Sequence, residues 1–185
     1  MPPSGSEWIS EFSTSKRVDD LAEPFRTNVK RFLVALKAAN ATVVVADTLR
    51  RPERAYLMHF SFAIAREGVH PAQVPPRAGV DIQWVHTAST GGPDVKASKE
   101  AAERMVEGYG IVFKPALNSR HTEGNAIDMS ISWIGDLVVA KGDGTTVTIT
   151  SAPRDGNNAS LQQVGSSYGV VKLVTDPPHW SIDGH

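Results

Sequence analysis

Apolar residues recur every three or four positions in several parts of the chain, which predicts amphipathic helices. The first stripe consists of Val18, Leu21, Phe25, Val29, Phe32, Leu33 and Leu36. A second helix is predicted over residues 51–68, where Pro52 suits the first turn and Gly68 the end. A third is predicted over residues 95–110, because Gly108 and Gly110 are typical of a helix terminus. A shorter helix is predicted over residues 159–169.

Runs of β-branched residues and strict alternation predict the strands. Residues 41–49 form one such run, short enough for a buried strand. Residues 80–86 are a possible short strand, and residues 170–174 are predicted as a strand that leads into residues 175–182. Residues 136–151 are typical of a hairpin that turns at Gly142, Asp143 and Gly144. With no internal repeat, this order of elements predicts an α+β protein with a small, mostly antiparallel sheet and helices packed on it.

The length of 185 residues suits one compact domain. Residues 1–17 are polar and rich in Ser and Pro, so we predict a flexible lead-in there and a single domain over residues 18–185. The first residues have no basic segment followed by an apolar one, which predicts synthesis in the cytoplasm without a signal peptide. No apolar run reaches the roughly 20 residues that span a bilayer, so membrane insertion is not expected.

Charge and cysteine content narrow the chemistry. The formal net charge is -1, so there is no basic excess of the kind that favours nucleic acid as a partner. Cysteine is absent, and a metal ion would therefore have to be held by histidines and carboxylates. Nothing in the composition calls for a second copy of the chain, and a monomer is expected.

The segment NSRHTEGNAIDMSI, residues 118–131, carries the first candidate ligands. In its second half Ile127, Met129 and Ile131 alternate with small or polar residues, so a strand would place Asp128 on the face opposite the core. His121 lies seven residues earlier, and a turn at Gly124 would bring it back to Asp128. A surface hydrogen bond between the two side chains is the alternative.

The segment TDPPHWSI, residues 175–182, offers a third ligand in His179. Catalytic zinc takes three protein ligands, and this segment follows an apolar strand that could pair beside the first one. Asp176 lies three residues earlier, on the same side of a polyproline-like segment, where a general base would belong. The alternative is a rigid turn packed by Trp180. The other histidines, at positions 59, 70, 86 and 185, have no partner at ligand spacing.

Taken together, the two segments resemble the signature of the zinc D-alanyl-D-alanine peptidase superfamily. The first matches S-x-H-x-x-G-x-A-x-D at Ser119, His121, Gly124, Ala126 and Asp128, and the second supplies an acidic-x-x-His motif. This superfamily includes VanX- and VanY-type enzymes and phage L-alanyl-D-glutamate endopeptidases. The resemblance implies a Hedgehog/DD-peptidase-like fold, with zinc held by His121, Asp128 and His179.

The same resemblance implies roles for the other residues. Asp176 would be the base, and an aspartate there is similar to the phage endolysin and CwlK-like endopeptidase branch, whereas the dipeptidase and carboxypeptidase branches carry glutamate. Arg50 would polarise the substrate carbonyl, although Leu49 and Arg51 depart from the family's pattern around it and the Gln of that pattern is missing. A surface salt bridge is the alternative role for this arginine. Ser119 would contact substrate or form a turn.

The implied function is hydrolysis of the stem peptide of bacterial peptidoglycan, at the L-Ala–D-Glu bond, by an endolysin that acts on the cell wall after release. A D,D- or L,D-carboxypeptidase is the alternative within the same chemistry. A zinc-bearing cell-wall binding module without turnover is the alternative from another class.

Overall fold

The computed structural model describes all 185 residues, and most of the predicted elements are present. The α-helices are α1 (Phe25–Ala38), α2 (Pro52–Arg66), α3 (Val95–Tyr109) and α4 (Ala159–Ser167). The strands are β1 (Thr42–Asp47), β2 (His86–Thr87), β3 (Pro93–Asp94), β4 (Ala126–Ser132), β5 (Leu137–Ala140), β6 (Thr146–Ile149), β7 (Val171–Lys172) and β8 (His179–Ser181). Every strand pair is antiparallel, which confirms the predicted α+β class.

The chain divides into two compact units. The first comprises residues 1–13 and 51–118, and the second comprises residues 14–50 and 119–185. The predicted lead-in over residues 1–17 and single domain over residues 18–185 stay predictions, since this division describes compactness alone.

The second unit is built on a four-stranded sheet in the order β1-β4-β8-β7. Alternation along β4 turns Ile127, Met129 and Ile131 into the core, where each is at most 2% exposed. Trp180 of β8 pairs with Ile127 and is fully buried among the same residues. Phe32 of α1 lies with its ring centre 5.7 Å from that of Trp180, so α1 covers this face of the sheet.

Two details of this unit differ from the predictions. The first helix begins at Phe25 and not at Val18, because Pro24 has no N–H to continue a helix towards the N-terminus and residues 18–20 form a separate 3₁₀ turn. Strand β1 is an edge strand whose residues alternate between exposed and half-buried, so the prediction of a buried strand is wrong. The β-branched residues of β1 therefore reflect their preference for extended backbone, and they do not indicate that the strand is buried.

The hairpin predicted over residues 136–151 is confirmed as β5 and β6, which pair with Leu137 opposite Ile149. Lys141 and Thr145 close its turn through a backbone hydrogen bond of 2.7 Å. Leu137, Val139 and Ile149 of the hairpin belong to the core of the second unit.

The first unit is organised by α2 and α3, which pack on each other through buried residues. These include Tyr56, Leu57, Ile64, Met105 and Val106. The predicted strand over residues 80–86 does not form as a continuous element. Val80 and Gln83 make isolated bridges to Arg77 and Pro3, and only His86 belongs to a strand, β2. None of the four α-helices combines the length and the apolar character that crossing a bilayer requires.

Candidate metal centre

Three side chains meet on the outer face of the second unit's sheet. Asp128 of β4 and His179 of β8 are direct cross-strand partners, so their side chains leave the sheet on the same side. His121 comes from the turn before β4. The pairs His121 Nε2–Asp128 Oδ1 and His179 Nδ1–Asp128 Oδ1 are each 3.1 Å apart, and His121 Nε2 lies 3.2 Å from His179 Nδ1. The three residues predicted as ligands therefore form one group, which could hold a metal ion.

A tight turn returns His121 to Asp128, and Gly124 makes that turn possible. Gly124 has φ +73°, and its N–H donates to the carbonyl of His121 at 3.3 Å. A Cβ at this position would lie 2.9 Å from the backbone nitrogen of Ala22, which itself donates to the Gly124 carbonyl. The turn thus needs a residue that accepts a left-handed conformation and a close backbone neighbour, as only glycine does at low cost.

The outward-facing nitrogen of each histidine is engaged by the backbone. His121 Nδ1 lies 2.7 Å from the carbonyl oxygen of Thr48, and His179 Nε2 lies 3.1 Å from a backbone oxygen of His185. Carbonyl oxygens only accept, so these contacts assign the imidazole proton to those nitrogens. In the neutral histidines, the lone pairs of His121 Nε2 and His179 Nδ1 are then directed at each other and at the Asp128 carboxylate.

Three acceptor atoms at this distance repel one another unless a proton or a metal ion lies between them. Two ligand atoms of a tetrahedral zinc ion, with bonds of about 2.0–2.1 Å, lie about 3.3 Å apart. The observed separations of 3.1–3.2 Å are close to that value. Backbone acceptors behind metal-ligating histidines are also typical of metal sites. The donor set and its spacing fit a metal ion.

Burial and charge shape the ionisation of the group. Burial favours the neutral form of Asp128, but hydrogen bonds and charge from His121 and His179 outweigh it and hold the pKa of this carboxyl below its usual range. Burial also lowers the pKa of His179, while Asp128, the hydrogen bond to the His185 backbone and then the charge of Asp176 raise it, with a net increase above the ordinary value. The group therefore attracts positive charge, whether protons or a metal ion.

Asp176, the predicted base, lies in the turn before His179 and is exposed. Its N–H donates to Leu173 and its carbonyl accepts from His179 N–H at 3.0 Å, but no protein group bonds its carboxylate. The effect of its charge on the pKa of His179 shows that the carboxylate is within electrostatic reach of the group. The carboxylate is thus left without a hydrogen-bonding partner in the chain, and its role as a base stays a prediction.

Arg50 and Ser119 flank His121 through their backbones. Arg50 N–H donates to the His121 carbonyl at 3.0 Å, whereas the Nε of Arg50 is buried and has no partner. The Oγ of Ser119 accepts from Thr122 N–H at 3.4 Å, and Thr122 Oγ1 donates to the Ser119 carbonyl. Ser119 therefore closes the turn that carries His121. Roles of either residue in contacting substrate stay predictions.

The sequence predictions missed a buried lysine that organises the loop between β7 and β8. Lys172 is 6% exposed, and its ammonium donates to the carbonyls of Leu173 and Asp176 at 2.5 Å and of His179 at 3.2 Å. The signal that could have revealed it is its position as the single charged residue in the apolar run VVKLV. Thr48 was missed for another reason. It contributes a backbone carbonyl that bonds His121, and any residue type could supply such a carbonyl.

His59, His70 and His86 are engaged elsewhere. His59 Nδ1 bonds the Pro115 carbonyl at 2.8 Å, His70 accepts from Ala72 N–H, and His86 Nε2 lies 3.0 Å from Ser4 Oγ. None of these three histidines belongs to the group formed by His121, Asp128 and His179. A scan of the sequence against family models gives no match, and a search of curated proteins gives none either.

Proposed function

We propose that the protein is a zinc metallopeptidase that hydrolyses the stem peptide of bacterial peptidoglycan, at the L-Ala–D-Glu bond, in the manner of an endolysin. One observation carries the proposal. His121, Asp128 and His179, the positions singled out by the S-x-H-x-x-G-x-A-x-D and D-x-x-H motifs, present three acceptor atoms 3.1–3.2 Å apart with both histidines held from behind.

Zinc suits this donor set better than other common ions do. Two imidazole nitrogens and one carboxylate oxygen match catalytic zinc sites with three protein ligands, whereas magnesium and calcium prefer oxygen ligands alone. When bound here, zinc would act as a Lewis acid on the scissile carbonyl and lower the pKa of a nearby water.

The chain's own residues supply the proton transfer and the charge stabilisation. The Asp176 carboxylate has no protein partner, so it can take a proton from the attacking water and pass it to the leaving amine. Arg50 keeps a buried Nε without an acceptor, which suits a donor that waits for the oxyanion of the tetrahedral intermediate.

Digestion of purified peptidoglycan by the zinc-loaded protein tests the proposal, with the new termini identified by mass spectrometry. New carboxyl termini on L-Ala and amino termini on D-Glu are expected, and chelator-treated protein should release neither. Release of free D-Ala would instead identify a carboxypeptidase. Binding to the cell wall without any new terminus would identify a binding module and overturn the proposed hydrolysis.

A further inference from the structure

Strand β1 forms one edge of the second unit's four-stranded sheet, and the main-chain groups on its outer side can be located. Val45 lies opposite Met129 of β4, and Met129 N–H donates to the Pro178 carbonyl, on the side of β8. In an antiparallel ladder, two opposed residues either bond each other or both face away. Val45 and Met129 are a pair of the second kind, so the N–H and C=O of Val45 point away from the sheet.

The same alternation turns the N–H and C=O of Val43 outwards, because Val43 lies two residues earlier in an unbroken register. No other backbone group of the chain bonds these four outward groups. The segment at Ser15 bonds only Thr48 and Leu49, beyond the end of the strand. The edge of β1 therefore presents four main-chain groups that have no partner within the chain.

This edge lacks the features that usually prevent two sheets from pairing, which are charged residues, prolines, early bulges and very short strands. Strand β7, at the opposite edge of the sheet, is only two residues long. Strand β1 has six residues, and its first five, TVVVA, include neither a charge nor a proline. Its one irregularity in register lies between Val45 and Asp47, after the open groups. Residues 42–45 therefore keep a regular edge that can accept another strand.

The spacing of the open groups suits a second copy of the same strand. Two antiparallel copies related by a twofold axis at Val44 place Val43 of each copy opposite Val45 of the other. Each of these two pairs forms two main-chain hydrogen bonds. The side chain of Val44, 61% exposed in the single chain, then packs against its own copy as a cross-strand pair. An unrelated extended peptide could use the same main-chain groups, but a second copy also covers Val44 with an apolar side chain and brings no charge to the edge.

We propose that the protein forms a symmetric dimer in which β1 pairs with β1 of a second copy about Val44. The two four-stranded sheets then form one sheet of eight strands. The interface involves few residues and buries less than about 1,200 Å², so the dimer is weak, with a Kd of about 10–100 μM. The expectation of a monomer rested on composition, which carries no information about main-chain groups at a strand edge.

The dimer would place both candidate metal centres on the same face of the joined sheet. Val44 lies opposite Ser130, and Ser130 shares a strand face with Asp128, two residues away. A twofold axis perpendicular to the sheet keeps this face common to both copies. Strand spacing and rise put the two Asp128 residues about 20 Å apart. The pairing itself does not depend on the proposed hydrolysis.

Sedimentation of the full chain, from about tenfold below to about tenfold above the expected Kd, tests the dimer. We expect the mass of the wild type to double with concentration. Val44→Lys should raise the Kd at least about tenfold, because two like charges then meet at the axis. Val34→Lys is the control, since Val34 is 69% exposed on α1, and it should dimerise as the wild type does. Circular dichroism verifies that both variants are folded.

A wild type that stays monomeric over this range would overturn the proposal and leave the edge to an extended peptide of another chain. Dimerisation of Val44→Lys with the Kd of the wild type would overturn it too, because the contact would then lie elsewhere.

Disulfide trapping tests the register of the pairing, and the absence of cysteine lets one introduced thiol report on one position. At the axis, the Cα atoms of a non-hydrogen-bonded pair lie about 4.5 Å apart, within reach of a disulfide. Val44→Cys should therefore give a covalent dimer on mild oxidation. Thr42→Cys is the matched control, because Thr42 is exposed on the same face of β1 but its two copies would lie about 14 Å apart. Equal cross-linking of the two variants would overturn pairing about Val44.

Discussion

The carbonyl oxygen of Thr48 accepts a 2.7 Å hydrogen bond from His121 Nδ1 and thereby directs the other ring nitrogen at Asp128. Thr48 is itself fully buried, and its Oγ1 donates to the carbonyls of Ser15 and Arg17. His121 is thus oriented by the Thr48 backbone, which is itself held in place by the hydrogen bonds of the Thr48 side chain. Such support determines how closely the three ligand atoms can approach.

Loss of a ligand should remove the metal. We expect the wild-type protein to bind one zinc ion per chain, and His121→Ala or His179→Ala to lose both zinc and hydrolysis, since two remaining ligands do not form a stable site. Elemental analysis after dialysis measures the zinc content. His59→Ala is the matched control, because His59 also bonds a backbone carbonyl but lies outside the group. Full zinc content in His121→Ala would contradict the assignment.

Asp176 should separate metal binding from turnover. Its carboxylate has no protein partner and is not part of the group that could hold the ion, so Asp176→Ala is expected to keep zinc. Hydrolysis should fall by about 10²- to 10⁴-fold, the usual contribution of a general base. Zinc content and kcat are measured on the same preparation. Wild-type turnover by Asp176→Ala would remove Asp176 from the mechanism.

A side chain at position 124 should disturb the turn that carries His121. Gly124→Ala places a methyl group 2.9 Å from the Ala22 backbone nitrogen, in a left-handed conformation. We expect a loss of about 1–3 kcal/mol in the free energy of unfolding, together with weaker zinc binding. Gly135→Ala is the control, because Gly135 has a similar φ of +72° and nothing within 4 Å of the added Cβ. Denaturant unfolding compares the two variants, and equal losses would mean that only backbone conformation matters.

Lys172 should act by positioning the loop that carries Asp176 and His179. Lys172→Met keeps an unbranched stem over the Trp180 ring but removes three hydrogen bonds to loop carbonyls. A loss of about 2–4 kcal/mol in the free energy of unfolding is expected, since each such bond contributes about 1 kcal/mol. Zinc affinity, measured by competition with a chelator, should fall as well. The exposed Lys37→Met is the control, and unchanged zinc affinity in Lys172→Met would limit the lysine to stability.

Tyr109 gives a prediction for alkaline pH. Burial raises the pKa of Tyr109 to about 12, and its hydroxyl donates to the Trp8 carbonyl at 2.8 Å. A pKa raised in the folded state contributes stability that is complete below the unfolded pKa, near 10, and is lost as the pH rises through 12. Wild-type stability should therefore fall between pH 10 and 12. In Tyr109→Phe this fall should be smaller, as measured by denaturant unfolding across that range.

The sequence by itself located most of the helices and the three candidate ligands, because both follow from local patterns of residue type and spacing. Helical periodicity located α2 and α3, and strand alternation around Asp128 placed that carboxylate opposite the core. Gly124 indicated the turn between His121 and Asp128, and the D-x-x-H motif identified His179 as the third candidate ligand. These inferences need only residue types and spacings within a few turns of chain.

Only the tertiary structure decided what surrounds the ligands. The partner of His121 Nδ1 is a carbonyl 73 residues away, and backbone groups carry no signature in residue type. Strand β1 became an edge strand because pairing partners are chosen between distant segments, which the β-branched run does not specify.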